Sequence, residues 1–104
     1  MSNKLKQEYY KEGFVLIESL LSKSETQKLQ KATDELIEES KNCNESDDRF
    51  DLEPDHTETN PRVQRIKVPH QQHETFSKLV RDQKLLKVLK ILIGDNVRFR
   101  NSKL

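Results

Sequence analysis

Residues 13–25 read GFVLIESLLSKSE, and this stretch decides the fold class. The run from Phe14 to Leu21 is mostly apolar, with an aromatic and two β-branched residues behind a glycine, and that composition predicts a strand. Its near-continuous apolarity implies cover on both faces, or a helix packed over it. Ser22 then opens a helix. Ser22 and Glu25 have capping-box spacing, so the hydroxyl accepts from the Glu25 backbone N–H while the Glu25 carboxylate reaches back to the Ser22 N–H. Leu29, Ala32, Leu36 and Ile37 continue at helical spacing as one apolar stripe, and the helix is expected to run to about Lys41. Strand and helix side by side indicate an α+β fold.

Upstream, residues 3–11 read as a short helix that stops at Gly13, a residue suited to the left-handed C-terminal cap. Downstream, residues 42–61 (NCNESDDRFDLEPDHTETNP) have no helical or alternating period and are expected to form a long, mobile acidic loop, with Phe50 and Leu52 able to pin it to the body. RVQRIKV at 62–68 alternates weakly and predicts a short strand ended by Pro69. Residues 70–82 look helical, with Phe76, Leu79 and Val80 on one face. Asp82 caps a further helix, about 84–93, in which Leu85, Leu86, Val88, Leu89, Leu92 and Ile93 form a wide apolar face. Gly94 stops it, and VRFRNSKL at 97–104 alternates as a strand.

The chain has 104 residues, of which 32% are hydrophobic and 36% charged, so one modest core in a single partial domain, 1–104, is expected. Five glycines and prolines in all provide too few turns for a complete β-barrel. Two or three short strands seldom make a stable sheet alone, so the alternating pattern that runs to Leu104 reads as an incomplete sheet. Net charge is +1, but it is segregated: residues 34–58 carry −9 and residues 59–104 carry +8. Each block is expected to be a solvated surface, partly neutralising the other.

Several function classes are excluded on composition. No apolar run reaches the length of a membrane span, and the N-terminus lacks the apolar centre of a secretory signal. The Lys84, Lys87 and Lys90 stripe backs an apolar face that core packing accounts for. With two glycines there is no phosphate-cradling loop. Few aromatics are free to stack bases, so no nucleic-acid partner is expected. Cys43 is the single cysteine; this precludes an internal disulfide and suits a reducing, cytoplasmic setting. Its acidic neighbours disfavour the thiolate, so it is not read as a nucleophile.

The metal-binding signals are sparse. His56-Thr57-Glu58 has the H-x-D/E spacing that opens a 2-His-1-carboxylate iron site, which works where both side chains project from one strand. Here the pair lies in a polar, proline-flanked loop, and loop residues are the expectation. His70 and His73, three apart on a helix, would share a face and could serve as ligands. No third donor accompanies them, so polar helix-entry residues are the expectation for these two as well.

Taken in order, the elements resemble the N-terminal region of the phytanoyl-CoA dioxygenase family. The opening G-F-V-apolar strand is matched by Gly13, Phe14 and Val15. The L-S-x-x-E helix start is matched by Leu21, Ser22 and Glu25. The helix ending apolar-apolar-Gly is matched by Leu92, Ile93 and Gly94, and a strand follows. The resemblance implies the front section of a double-stranded β-helix (jelly-roll) oxygenase that uses Fe(II) and 2-oxoglutarate to hydroxylate a small organic or acyl substrate. In that family the H-x-D motif, the distal His and the Arg that binds 2-oxoglutarate lie downstream of the strand matched here by 97–104. No catalytic, cofactor-binding or metal residue is therefore assigned within the chain. His56 and Glu58 lie upstream of the expected site, and Lys103 is the one residue with a chance of facing a barrel interior. The expectation is a fragment inactive on its own, its 84–93 helix and 14–21 strand buttressing a barrel and its acidic loop bordering the substrate entrance. The alternative is a small non-enzymatic interaction module that binds through the 84–93 helix or the 97–104 edge, where self-association is also expected.

Overall fold

A computed structural model describes residues 2–104. Five helices and a two-stranded antiparallel sheet follow in the order α1 (Ser2–Glu12), α2 (Lys23–Ser40), β1 (Phe50–Leu52), β2 (Val63–Ile66), α3 (Pro69–Gln72), α4 (Glu74–Val80) and α5 (Gln83–Ile93).

Helix boundaries follow local chemistry. Gly13 ends α1 at φ 82°, and its N–H bonds the Tyr9 carbonyl at 2.8 Å. The capping box at α2 forms as expected: Ser22 Oγ accepts from the Glu25 N–H at 3.1 Å, and Glu25 Oε1 accepts from the Ser22 N–H at 2.9 Å. Asp82 Oδ1 accepts from the Leu85 N–H at 3.0 Å to start α5, and Gly94, at φ 101°, terminates it.

The core sits where α2 crosses the sheet. Ala32, Leu36, Phe50, Ile66 and Phe76 are its buried members, with Leu29, Ile37, Cys43, Leu52 and Val63 packed around them. In the sheet Phe50 lies opposite Ile66 and Asp51 opposite Arg65; the register then shifts so that Leu52 meets Val63. That irregularity lets both Val63 and Ile66 reach the core although they are three positions apart and would otherwise face opposite sides. α4 packs on α2 and supplies Phe76, α3 packs on α4, α1 packs on α5, and Lys84 of α5 is tied to Glu25 at the start of α2. The molecule measures 50 × 26 × 22 Å with a radius of gyration of 16.8 Å. A compact domain of this length would have about 13 Å. A small core of five buried residues in an elongated body accounts for the difference.

Several expectations are corrected. Residues 14–21 are not a strand: 14–17 have no regular structure and no backbone pairing among the described residues, and 18–21 turn into α2. The run is apolar enough for a strand, but a strand is completed by neighbours, and no described residue offers an edge there. Residues 42–61 are not a loop throughout, because β1 lies inside them and Phe50 is fully buried. The helix expected over 70–82 is broken at His73, whose φ of −146° ends α3 and whose ring caps α4. The apolar face of α5 is only partly covered: Leu92 is buried, but Ile93 is 54% exposed. The expected strand at 97–104 reduces to its end, where Lys103 bridges Lys67 and Leu104 exchanges two backbone hydrogen bonds with Ile66, at 2.9 and 3.0 Å.

Candidate functional site

The three histidines are the residues the sequence offers first as iron ligands, and the fold places each at a different junction. His56 lies in the turn between β1 and β2. Its Nδ1 accepts the Arg62 N–H at 2.8 Å, so Nε2 carries the proton and donates to the Ser40 carbonyl at 3.0 Å. Both ring nitrogens are spent on backbone groups, and the ring pins the hairpin connection to the end of α2. Glu58 is exposed beyond it, and neither residue lies on a strand. The strand-borne geometry that makes H-x-E a pair of ligands is absent.

His73 is used in the same way. Its Nδ1 accepts the Thr75 N–H at 3.1 Å as the cap of α4, and Nε2 donates to Glu35 on α2 at 2.6 Å. His70 points elsewhere: its Nδ1 meets Ser102 Oγ at 2.6 Å, and its ring stands edge-on to Phe99 with centroids 4.7 Å apart. The break at His73 therefore separates two histidines that a continuous helix would have put on one face. Among the described residues no three His, Cys, Asp or Glu side chains converge where an ion could be held. The residues present do not fit an iron centre.

The other reactive group, Cys43, is partly buried beside the core. Its Sγ lies 3.6 Å from Asp47 Oδ2, and burial first, then the Asp47 charge, pushes the thiol above its ordinary range. Asp47 itself is held below the usual carboxylate range, chiefly because it accepts the backbone N–H of Phe50 and also that of Arg49. A cleft of about 220 Å³ between α2 and α4 contains two carboxylates, Glu25 and Asp82. Both are already committed to helix caps, and Glu25 is in addition drawn down to about 2 by Lys84 and the Ser22 N–H.

One cluster had no sequence signal. Gln72 Oε1 accepts from Arg49 Nε at 2.8 Å, while its Nε2 donates to the Arg49 and Lys67 carbonyls at 3.1 and 2.6 Å. Arg49 also reaches Glu39 at 2.8 Å and lies 5.0 Å from the centre of the Phe50 ring. This hub joins α2, β1, β2 and α3, and it holds the turn in which Val68 adopts a left-handed φ of 42°. A β-branched residue resists that conformation, so the turn persists because its surroundings are fixed. Lys67 is paired with Asp51 at 3.0 Å and donates to the Asp47 carbonyl at 2.8 Å; Lys103, across from it, is exposed.

What these elements belong to is decided by comparison with known proteins. The model of the phytanoyl-CoA dioxygenase family matches residues 9–102. The chain belongs to this family. It is 27% identical over 97 residues to a "probable alpha-ketoglutarate-dependent hypophosphite dioxygenase" of Stutzerimonas stutzeri. The match covers 93% of this chain but only 34% of that relative, so the chain spans about a third of the relative's length. No solved structure gives a significant match.

Proposed function

We propose that these 104 residues are the N-terminal wall of an Fe(II)- and 2-oxoglutarate-dependent hydroxylase acting on a small organic or acyl substrate. In this reading the double-stranded β-helix, the iron ligands and the 2-oxoglutarate site are on further polypeptide, and the chain alone is inactive. A reducing cytoplasmic setting suits its single thiol.

The observation that carries the reading is the family match across nearly the whole chain together with the occupation of the histidines. His56 and His73 each spend both ring nitrogens on internal bonds, which leaves no pair of ligands to combine with a carboxylate. A facial triad also needs ligands held on adjacent strands with supporting hydrogen bonds, and a sheet of two short strands is a poor frame for that. Fe(II) and 2-oxoglutarate would supply oxidation of an unactivated bond to the whole enzyme. The described residues contribute the helix α2, the hairpin and the Gln72 hub as a rigid support.

Sequencing the transcript 3′ of the Leu104 codon tests this. An in-frame His-x-Asp with a distal His and Arg beyond it is the expected result. A stop codon directly after Leu104 in every transcript would contradict it.

A further inference from the structure

Helices α1 and α5 stand apart from the core. They pack on each other, and neither packs broadly on α2, the sheet or α4. Leu92, the buried residue of α5, lies outside the cluster of Ala32, Leu36, Phe50, Ile66 and Phe76. The α1–α5 pair is therefore a second, smaller body with a buried leucine of its own.

Three links join this pair to the core. Residues 13–22 run from α1 to α2 and hold two left-handed positions, Gly13 at φ 82° and Ser19 at φ 57°. Arg81 and Asp82 connect α4 to α5. Gly94, at φ 101°, opens the return to Ser102 and Leu104, which bond His70 and Ile66. Among the described residues, 14–21 and 95–101 make no backbone–backbone hydrogen bond. Segments with few backbone bonds and little buried apolar surface open at low cost, and hinges are drawn from them.

One side chain spans the gap. Lys84, in the first turn of α5, donates to Glu25 Oε1, which also accepts the Ser22 N–H at 2.9 Å. Among the described residues no other ion pair or side-chain hydrogen bond joins α1 or α5 to α2, α3, α4 or the sheet. The Lys84 and Glu25 side chains are 48% and 33% exposed, so water and salt reach the pair and it is a weak restraint.

We infer that α1 and α5 form a hinged arm, latched to the core by Lys84 and Glu25, that swings as one unit about residues 13–22, 81–82 and 94–98. Leu21 and Asp82, at two of its attachments, line the cleft of about 220 Å³ between α2 and α4, and so does Glu25. Release of the latch shifts two walls of that cleft and leaves it a carboxylate no longer neutralised by Lys84. The arm is a property of the described residues and stands or falls independently of the oxygenase reading.

Amide residual dipolar couplings test it, measured on the isotopically labelled full chain aligned in an uncharged stretched gel. The couplings of α1 and α5 are expected to fit one common alignment, weaker than the alignment fitted by α2, the sheet and α4. Lys84→Ala removes the latch and leaves the Ser22–Glu25 cap in place. It is expected to cost the arm at least about a third of its remaining alignment, the step from a rigid to a flexible backbone, with the core couplings unchanged. In the unaltered chain about 1 M salt, with a Debye length of about 3 Å, should produce the same loss, and Lys84→Arg should restore the arm at low salt. One alignment fitting every helix equally, before and after Lys84→Ala, would show a single rigid body and overturn the inference. Unequal loss of order in α1 and α5 would show two fraying helices and overturn it too, as would altered core couplings in Lys84→Ala.

Discussion

Phe50→Ala is the substitution that most directly probes how this chain holds together. Phe50 has no exposed surface and lies opposite Ile66 on the sheet, in a core whose other buried members are Ala32, Leu36, Ile66 and Phe76. Emptying a phenylalanine site in a close-packed core costs about 3–5 kcal/mol, counting both lost transfer energy and the cavity left behind. The Arg49 guanidinium, 5.0 Å from the ring centre, loses its aromatic face as well, worth roughly 0.5–1 kcal/mol at a partly exposed site. Against a total stability of about 5–15 kcal/mol for a domain of this size, a loss near 4 kcal/mol lowers the folded-to-unfolded ratio roughly a thousand-fold. The control is Phe14→Ala. Phe14 is 67% exposed, so its truncation should change stability by no more than about 0.5 kcal/mol. Urea denaturation followed by circular dichroism measures both. A Phe50→Ala loss below about 1 kcal/mol, or a larger loss at Phe14 than at Phe50, would refute the assignment of the core.

Further outcomes follow from individual contacts. Ser22→Ala removes one half of the capping box and should cost about 1 kcal/mol in the same denaturation assay. Glu25 is lowered from 4.5 to about 2, first by its bond to Lys84 and then by the Ser22 N–H. A carboxyl depressed on folding stabilises above its unfolded value and loses that contribution as pH falls, so the α2–α5 tie should weaken between about pH 4.5 and 2. Carboxyl carbon NMR checks this, and Lys84→Ala should move the Glu25 midpoint upward. The Cys43 thiol, raised by burial and by Asp47, should react with iodoacetamide more slowly at pH 8 than a free cysteine, and Asp47→Ala should speed it up. His56→Phe strands the Ser40 carbonyl and the Arg62 N–H, and should cost about 1–3 kcal/mol in urea without altering metal content.

The two phenylalanines also show which parts of the structure were legible in the sequence. The capping box at Ser22 and Glu25, the Asp82 cap, the Gly13 and Gly94 stops and the apolar stripe through Ala32 and Leu36 depend on residues within a turn or two, and each appears where local chemistry puts it. Strands depend on distant partners. Phe14 sits in the stretch with the strongest strand composition yet remains exposed, because no described edge pairs with it. Phe50 sits in an acidic, period-free stretch yet fills the core, because β2 lies across from it and Asp47 and Ser46 receive the N–H groups around it. Composition reports how well a residue suits a half-buried pleated surface, and it does not say whether that surface is built.

The histidines divide in the same way. The spacing of His56 and Glu58 was visible, and so was its weak setting between prolines. That both nitrogens of His56 and of His73 serve as staples was not, since it depends on Ser40, Arg62, Glu35 and Thr75 arriving from other elements. The Gln72 hub was invisible for the same reason. Family likeness was legible because it rests on the order of local motifs.

The central proposal, that these residues form a wall of a dioxygenase without an iron centre of their own, is tested most directly by anaerobic calorimetric titration of the purified chain with Fe(II) in the presence of 2-oxoglutarate. The account predicts no saturable binding of either. Stoichiometric binding with a dissociation constant of about 1 μM, equivalent to roughly 8 kcal/mol of interaction, would contradict it.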